Sequence, residues 1–254
     1  MQGPAPVLAV VLFEIALGSL ALLWVAPLWG VVRPGFFKLV GATVLACAAL
    51  AWLTSRGELS QAGATGRAAS LWLGVFVLAV LVWQVLLYAR LGVAHWAGIA
   101  AVAPGLVASW PLAVLSGRTV LGALALLTGA LFLGATVDGL LLGHWYLVDR
   151  RLTNRPILAL ATWFFAGVAA ALVSAALGGA RGDAVDQSLS PLLAFPNLTV
   201  YLAVGLVLLC GLLAAFIRVL VRSDSIQAAT GMFYLAVIMA IAAEFAAKVY
   251  FFPS

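Results

Sequence analysis

Charge is what this chain has least of. Only 8% of its 254 residues are Asp, Glu, Lys or Arg, against about 25% in an ordinary soluble domain. Thirteen basic and 8 acidic side chains cannot cover a water-facing surface for a fold of this length. The basic excess is modest and scattered over short connections. Its densest run, Arg150, Arg151 and Arg155, directly follows a hydrophobic segment. A nucleic-acid surface needs a basic face carrying readout groups, whereas this placement suits anchoring at a headgroup layer. Nucleic acid is therefore not an expected partner.

Cysteine is nearly missing as well. Cys47 and Cys210 both fall inside hydrophobic segments, with no CxxC and no cluster, and read as small apolar side chains packed between helices. The chain lacks GxSxG, HExxH and GxxxxGK[ST], so serine-hydrolase, zincin and P-loop chemistries have no motif behind them. No polar stretch is long enough for a soluble domain of about 50 residues. No internal duplication of the kind that builds two-halved transporters is legible.

What fills the chain instead is apolar: 66% of residues, with a mean hydropathy of +1.20. The runs predict an all-α, polytopic membrane bundle of about eight helices. They are placed near Pro6–Leu28, Val32–Thr54, Ala69–Leu91, Ala94–Leu115, Thr119–Val148, Pro156–Leu177, Thr199–Val221 and Ile226–Phe251. Each reaches the roughly 20 residues that a bilayer requires. The first carries Glu14 and bulky aromatics without a charged leader, and reads as a retained helix. Pro104 and Pro111 should kink or break the fourth. The fifth, about 45 Å long as a helix, exceeds a hydrocarbon core of about 30 Å and should tilt or project. RGELSQAGATG, between Ser55 and Arg67, reads as a plain connection. Residues 1–254 are expected to form a single transmembrane domain whose largest excursion is Gly178–Asn197, where Leu192, Leu193 and Phe195 would rest on the bilayer surface.

The polar residues inside these runs are the candidates for function, because an ionised side chain in lipid is costly unless it faces a partner, water or the bundle interior. Glu14 lies about eight residues into the first helix and Glu244 about seven before the end of the last. An even number of crossings makes those helices antiparallel, so the two carboxylates should share a depth near one face. Glu244 and Lys248 are four residues apart and can pair on one side of their helix, unless Lys248 snorkels outward. Asp138 sits in the fifth helix, where Ala135, Gly139 and Gly143 form a small-residue line suited to close helix contact. Glu14, Asp138, Glu244 and Lys248 are thus candidates for a proton path or for intramembrane ion pairing.

His95 opens the fourth helix and His144 nears the end of the fifth, each before a tryptophan. With Asp138 slightly deeper, they are candidates for a cofactor site near one face, holding a quinone or, as an alternative, a haem. Asp138 and His144, six residues apart, point about 120° apart and should not pair directly. Two histidines a full helix apart form no metal signature. The same pair would equally serve as amphipathic anchors in an aromatic belt.

These features lead to an expectation of a membrane subunit of a respiratory or other redox assembly, contributing helices and a quinone pocket. Lipids, and other subunits of a complex, would be its partners. A haem-binding subunit, a small proton-coupled transporter or channel using Glu14, Asp138 and Glu244, and a structural scaffold are the alternatives. Eight basic residues (Arg33, Lys38, Arg90, Arg150, Arg151, Arg155, Arg218, Arg222) fall on one side of the expected topology and five (Arg56, Arg67, Arg118, Arg181, Lys248) on the other. In a bacterial cytoplasmic membrane this asymmetry places both termini outside the cytoplasm. Single cysteines at Ser60, Gly117 and Asp186, in a background without Cys47 and Cys210, should accordingly label with an impermeant reagent from the outer side. Labelling of all three only from the cytoplasmic side would reverse the orientation.

Overall fold

The computed structural model describes residues 4–149, 151–178, 198–249 and 251–252. Beyond Gly178, the loop expected at Gly178–Asn197 lies outside the described residues, as do Arg150 and Arg181. Among the described residues every regular element is a helix: α1 Pro4–Val25, α2 Pro34–Gln61, α3 Gly63–Tyr88, α4 Ala94–Ala100, α5 Val102–Leu115, α6 Thr119–Val148, α7 Arg155–Gly178, α8 Leu198–Arg222 and α9 Ile226–Lys248. α4 and α5 together form one stretch, Ala94–Leu115, so that eight helical segments are long and apolar enough to cross a bilayer.

Local chemistry sets most of the boundaries. Pro34 starts α2 at a position where its missing N–H costs nothing. Pro104 has no N–H to offer the Ala100 carbonyl, and the helix is interrupted at Ala101 between α4 and α5. Pro111 is accommodated inside α5.

The Ser55–Arg67 segment is not the plain connection that its polarity suggests. α2 runs on through Gln61, and Ala62 alone separates it from α3. The Ala62 N–H closes onto the carbonyls of Glu58 and Leu59, and Gly63 turns the chain at φ +70°. Leu59 is fully buried, and Gly66 has no side chain to keep α3 from the Leu59 carbonyl. A polar sequence remains helical here because tertiary packing at Leu59 and Gly66 outweighs one interior glycine, a cost of about 1 kcal/mol.

The two ends of the bundle can be told apart by their contacts. The α5–α6 turn, the start of α8 and the end of α9 meet around one cavity with the last turns of α7; we call this the terminal end. At the opposite end Arg33, preceding α2, pairs with Asp149, just past α6, at 2.9 Å. There too Asn154, ahead of α7, donates to Asp224 and to the Val221 carbonyl.

α6 is the central helix, packed against α1, α5, α7 and α9. Glycines allow this. A Cβ on Gly18 of α1 would run into the Ala130 carbonyl, and one on Gly134 of α6 would run into the Gly18 backbone. Gly139 and Gly143 face Phe233 and Thr230 of α9, and Gly167 of α7 lies on the Phe132 backbone. Between helices in lipid the attraction is mainly close van der Waals packing, and α6 obtains it on three sides.

Substituting Leu at Gly18 or Gly134 should therefore separate α1 from α6, with a loss of about 1–3 kcal/mol or more seen as a lower melting temperature in detergent. Ala at Gly205, inside α8 with open space around it, should not lower the melting temperature, because it only removes an interior helical glycine. Equal melting of Gly18→Leu and the native protein would contradict the assigned α1–α6 contact.

Candidate functional site

Lys248, the last residue of α9, points into the bundle and is buried together with Glu14 and Glu244. Its Nζ lies 2.7 Å from Glu244 Oε2 and 2.8 Å from Glu14 Oε1, and donates to the Ala125 carbonyl of α6 at 3.2 Å. An ammonium has three donors, and three acceptors surround it. The pairing with Glu244 follows from their four-residue spacing on one helix face. The pairing with Glu14 is tertiary: α1 crosses α6 where Gly129 has no side chain, and the Glu14 carboxylate occupies that space.

The three charges are not equally satisfied. Glu244 accepts an aligned hydrogen bond from Lys248. Glu14 has the close ion pair, yet neither of its oxygens has an aligned donor. Two carboxylates share one ammonium, so the fully ionised cluster is one positive charge short. Removal from water costs several kcal/mol per ion before any pairing is counted, so that imbalance is energetically significant.

A cavity of about 180 Å³ opens beside the cluster, bounded by the ends of α6, α7, α8 and α9. Glu244 and Lys248 form part of its wall, whereas Glu14 stands behind them. Hydroxyls come from Ser116, Thr128, Ser174 and Thr199; Leu172, Val207 and Phe251 supply apolar surface. Lys248 Nζ is 6.0 Å from the centre of the Phe251 ring. Arg118 also lines the cavity, but as an exposed residue of the α5–α6 turn.

Asp138 stands apart from this cluster. It is completely buried, nine residues beyond Gly129 on α6, about 13 Å further toward the opposite end. Ser19 of α1 is its polar neighbour across the helix interface. Neither carboxylate oxygen has an aligned hydrogen bond, and neither does the Ser19 hydroxyl.

The histidines occupy two further environments. His95 is half-buried among indoles, its ring 5.3 Å from Trp24, 4.9 Å from Trp29 and 5.1 Å from Trp96. Its Nδ1 and the Nε1 atoms of Trp24 and Trp83 are buried without hydrogen-bond partners, and both indoles converge on Gly98, one turn after His95. His144 is exposed, with its Nε2 3.0 Å from the Tyr234 hydroxyl of α9. Among the described residues, His95, Asp138 and His144 stand in three separate environments. Among the described residues no group of three His, Cys, Asp or Glu side chains is placed to hold a metal ion.

The structure thus joins Glu14, Glu244 and Lys248 and leaves the three cofactor candidates separate. Sequence reasoning missed the Ala125 carbonyl, the Thr128 hydroxyl and Ser19. The glycine at 129 was the available signal, since a glycine at a helix crossing leaves room for a side chain of the neighbouring helix.

Replacing Lys248 by Met leaves two carboxylates buried without their cation, a change of the class that costs about 3–5 kcal/mol. The melting temperature should fall, and adding Glu14→Gln and Glu244→Gln together should recover most of the loss. Additive destabilisation by the three substitutions would deny that these side chains form one cluster. No family model, curated protein or solved structure matches the chain, so the cluster and the cavity are themselves the basis for a functional reading.

Proposed function

We propose that the protein is a proton-coupled membrane transporter whose coupling centre is the Glu14–Lys248–Glu244 cluster. The observation that carries this reading is the buried ammonium between two buried carboxylates, two of the three groups lying on a cavity wall. Polar groups placed at such depth mark ion and substrate pathways in membrane proteins. A cluster one positive charge short is completed by a proton on Glu14 or Glu244. Losing that proton leaves Lys248 to hold both carboxylates, so the two protonation states demand different packing of α1 and α9 against α6. Coupling needs such a two-state element.

Asp138 and Ser19 lie further along the same α1–α6 interface, toward the opposite end, and provide a second station for the proton. On this reading the membrane is crossed by all eight apolar segments, with the break at Ala101 giving the Ala94–Leu115 segment a hinge. A redox subunit would instead need its quinone at His95 alone, where the unpartnered imidazole and indole nitrogens supply the only motivation.

Proteoliposomes containing a trapped pH-sensitive dye test the proposal. Small cations, anions and neutral solutes are added one class at a time, with the membrane potential clamped by potassium and valinomycin. At least one class should move protons across vesicles holding the native protein, and Glu14→Gln should reduce that movement to the rate of protein-free vesicles. No solute-dependent proton movement, or a stoichiometric quinone or haem in the purified protein, would overturn the assignment.

A further inference from the structure

The cavity and the charge imbalance together specify what the proposed transporter carries. We propose that the cavity binds a small, singly charged organic cation with an apolar body, and that this cation and a proton compete for the same carboxylate cluster, making the transporter an exchanger. This deepens the transport reading and rests on it.

Glu14, Glu244 and Lys248 sum to one negative charge when all are ionised, and three acceptors already lie around the Lys248 ammonium. An anionic substrate would have to displace a carboxylate from Lys248 and leave it buried without a cation. A cation completes the cluster without displacing anything. It takes the place of one proton: when it binds Glu244 the cluster releases that proton, and when a proton returns the cation loses its counter-charge. Charge is conserved in each half of the cycle, and simultaneous occupancy would leave the buried cluster with an excess positive charge.

Shape and surroundings agree. A cavity of about 180 Å³ is comparable to the roughly 150 Å³ apolar cavity that accepts a benzene ring. Leu172, Val207 and Phe251 offer apolar walls for such a body. Phe251 also has its ring near the cationic end of Lys248, where a second cation would meet an aromatic face.

Among the described residues, the other groups around the buried cluster do not supply the missing charge. α6 presents Thr128 and Gly129, and α7 and α8 present Ser174 and Thr199. Asp138 lies deeper on α6. Arg118 is the other cationic side chain on the cavity wall, and it stands exposed in the α5–α6 turn, outside the buried cluster.

Phenyltrimethylammonium is a suitable probe because its charge is permanent and it carries no proton of its own. Titration calorimetry on the full chain in detergent, in two buffers of different ionisation enthalpy, reads both affinity and proton release. One proton should leave per cation bound in the pH range where the cluster is protonated, and affinity should fall about tenfold for each pH unit of acidification there. Glu244→Gln should abolish binding. Ala203→Phe, which fills the cavity and leaves the acids in place, should do the same if the acid variant does not fold. Binding that is independent of pH, unaffected by either substitution, or weaker than that of phenylacetate would overturn the proposal. Failure of phenyltrimethylammonium to bind, with Glu14-dependent proton movement intact for another solute class, removes the substrate assignment alone. Loss of all solute-dependent proton movement removes the transport reading beneath it.

Discussion

Between Gly18 of α1 and Gly134 of α6 there is no side chain, and the two backbones meet there. Because α1 lies against α6 at that crossing, Glu14, four residues before Gly18, falls over Gly129, five residues before Gly134. The same approach brings Ser19 to Asp138. On its other side α6 meets α9 through Gly139 and Gly143, which carries Lys248 and Glu244 to the level of Ala125. One centrally placed, glycine-lined helix therefore sets the positions of Glu14, Asp138, Glu244 and Lys248. Side chains at those glycines would hold α1 and α9 away from α6, and the ion pairs would have no geometry.

The energetics of the two ends differ for the same reason. Arg33 and Asp149 pair at 2.9 Å with the arginine largely exposed, and a pair of that kind contributes about 0–1 kcal/mol. Lys248 and its two carboxylates have comparable distances, but all three are buried. Their mutual attraction must offset the loss of hydration of three ions, and replacing such a group by apolar residues is often neutral or stabilising. Stability alone thus gives little reason for keeping it. A cluster that changes its packing with the number of positive charges it holds gives a better one.

How much of this was legible in the sequence depends on whether the signal is periodic or rotational. Hydropathy marks the eight apolar segments because each is a continuous run, and in lipid such runs must be helices to satisfy their own backbones. Counting residues from the helix ends puts Glu14 and Glu244 at similar depths, since depth follows from the rise per residue. Which way each faces is set by packing. Nothing in FEIALGS alone shows that Glu14 turns toward α9 and that Ser19 turns toward Asp138. His95 and His144 show the same limit: counting residues puts both near one end, but does not show that one is enclosed by indoles around α4 and the other exposed beside Tyr234. The helical course of Ser55–Gln61 was hidden because polar residues look alike in a loop and in a helix that extends past the apolar layer.

Small residues produce both a backbone-to-backbone contact and an opening beside the cluster, and the arrangement of the helices decides which. Glycines on α1 and α6 lie directly opposite one another, so their lack of volume is converted into backbone contact. At the terminal end α8 packs on α7 and α9 and stands across from α6. There Gly122, Ala125, Ala171, Ala175 and Ala203 face a space that none of them can fill. The helices cannot close it by moving inward without breaking the α6–α7 and α6–α9 contacts, which are fixed by Gly167 and by Gly139 and Gly143. Contacts that seat the carboxylate cluster thereby also hold the cavity open beside it. A change in how the cluster packs therefore acts on the wall of the cavity without any intervening element, which is the mechanical condition for coupling a charge held in one to a solute held in the other.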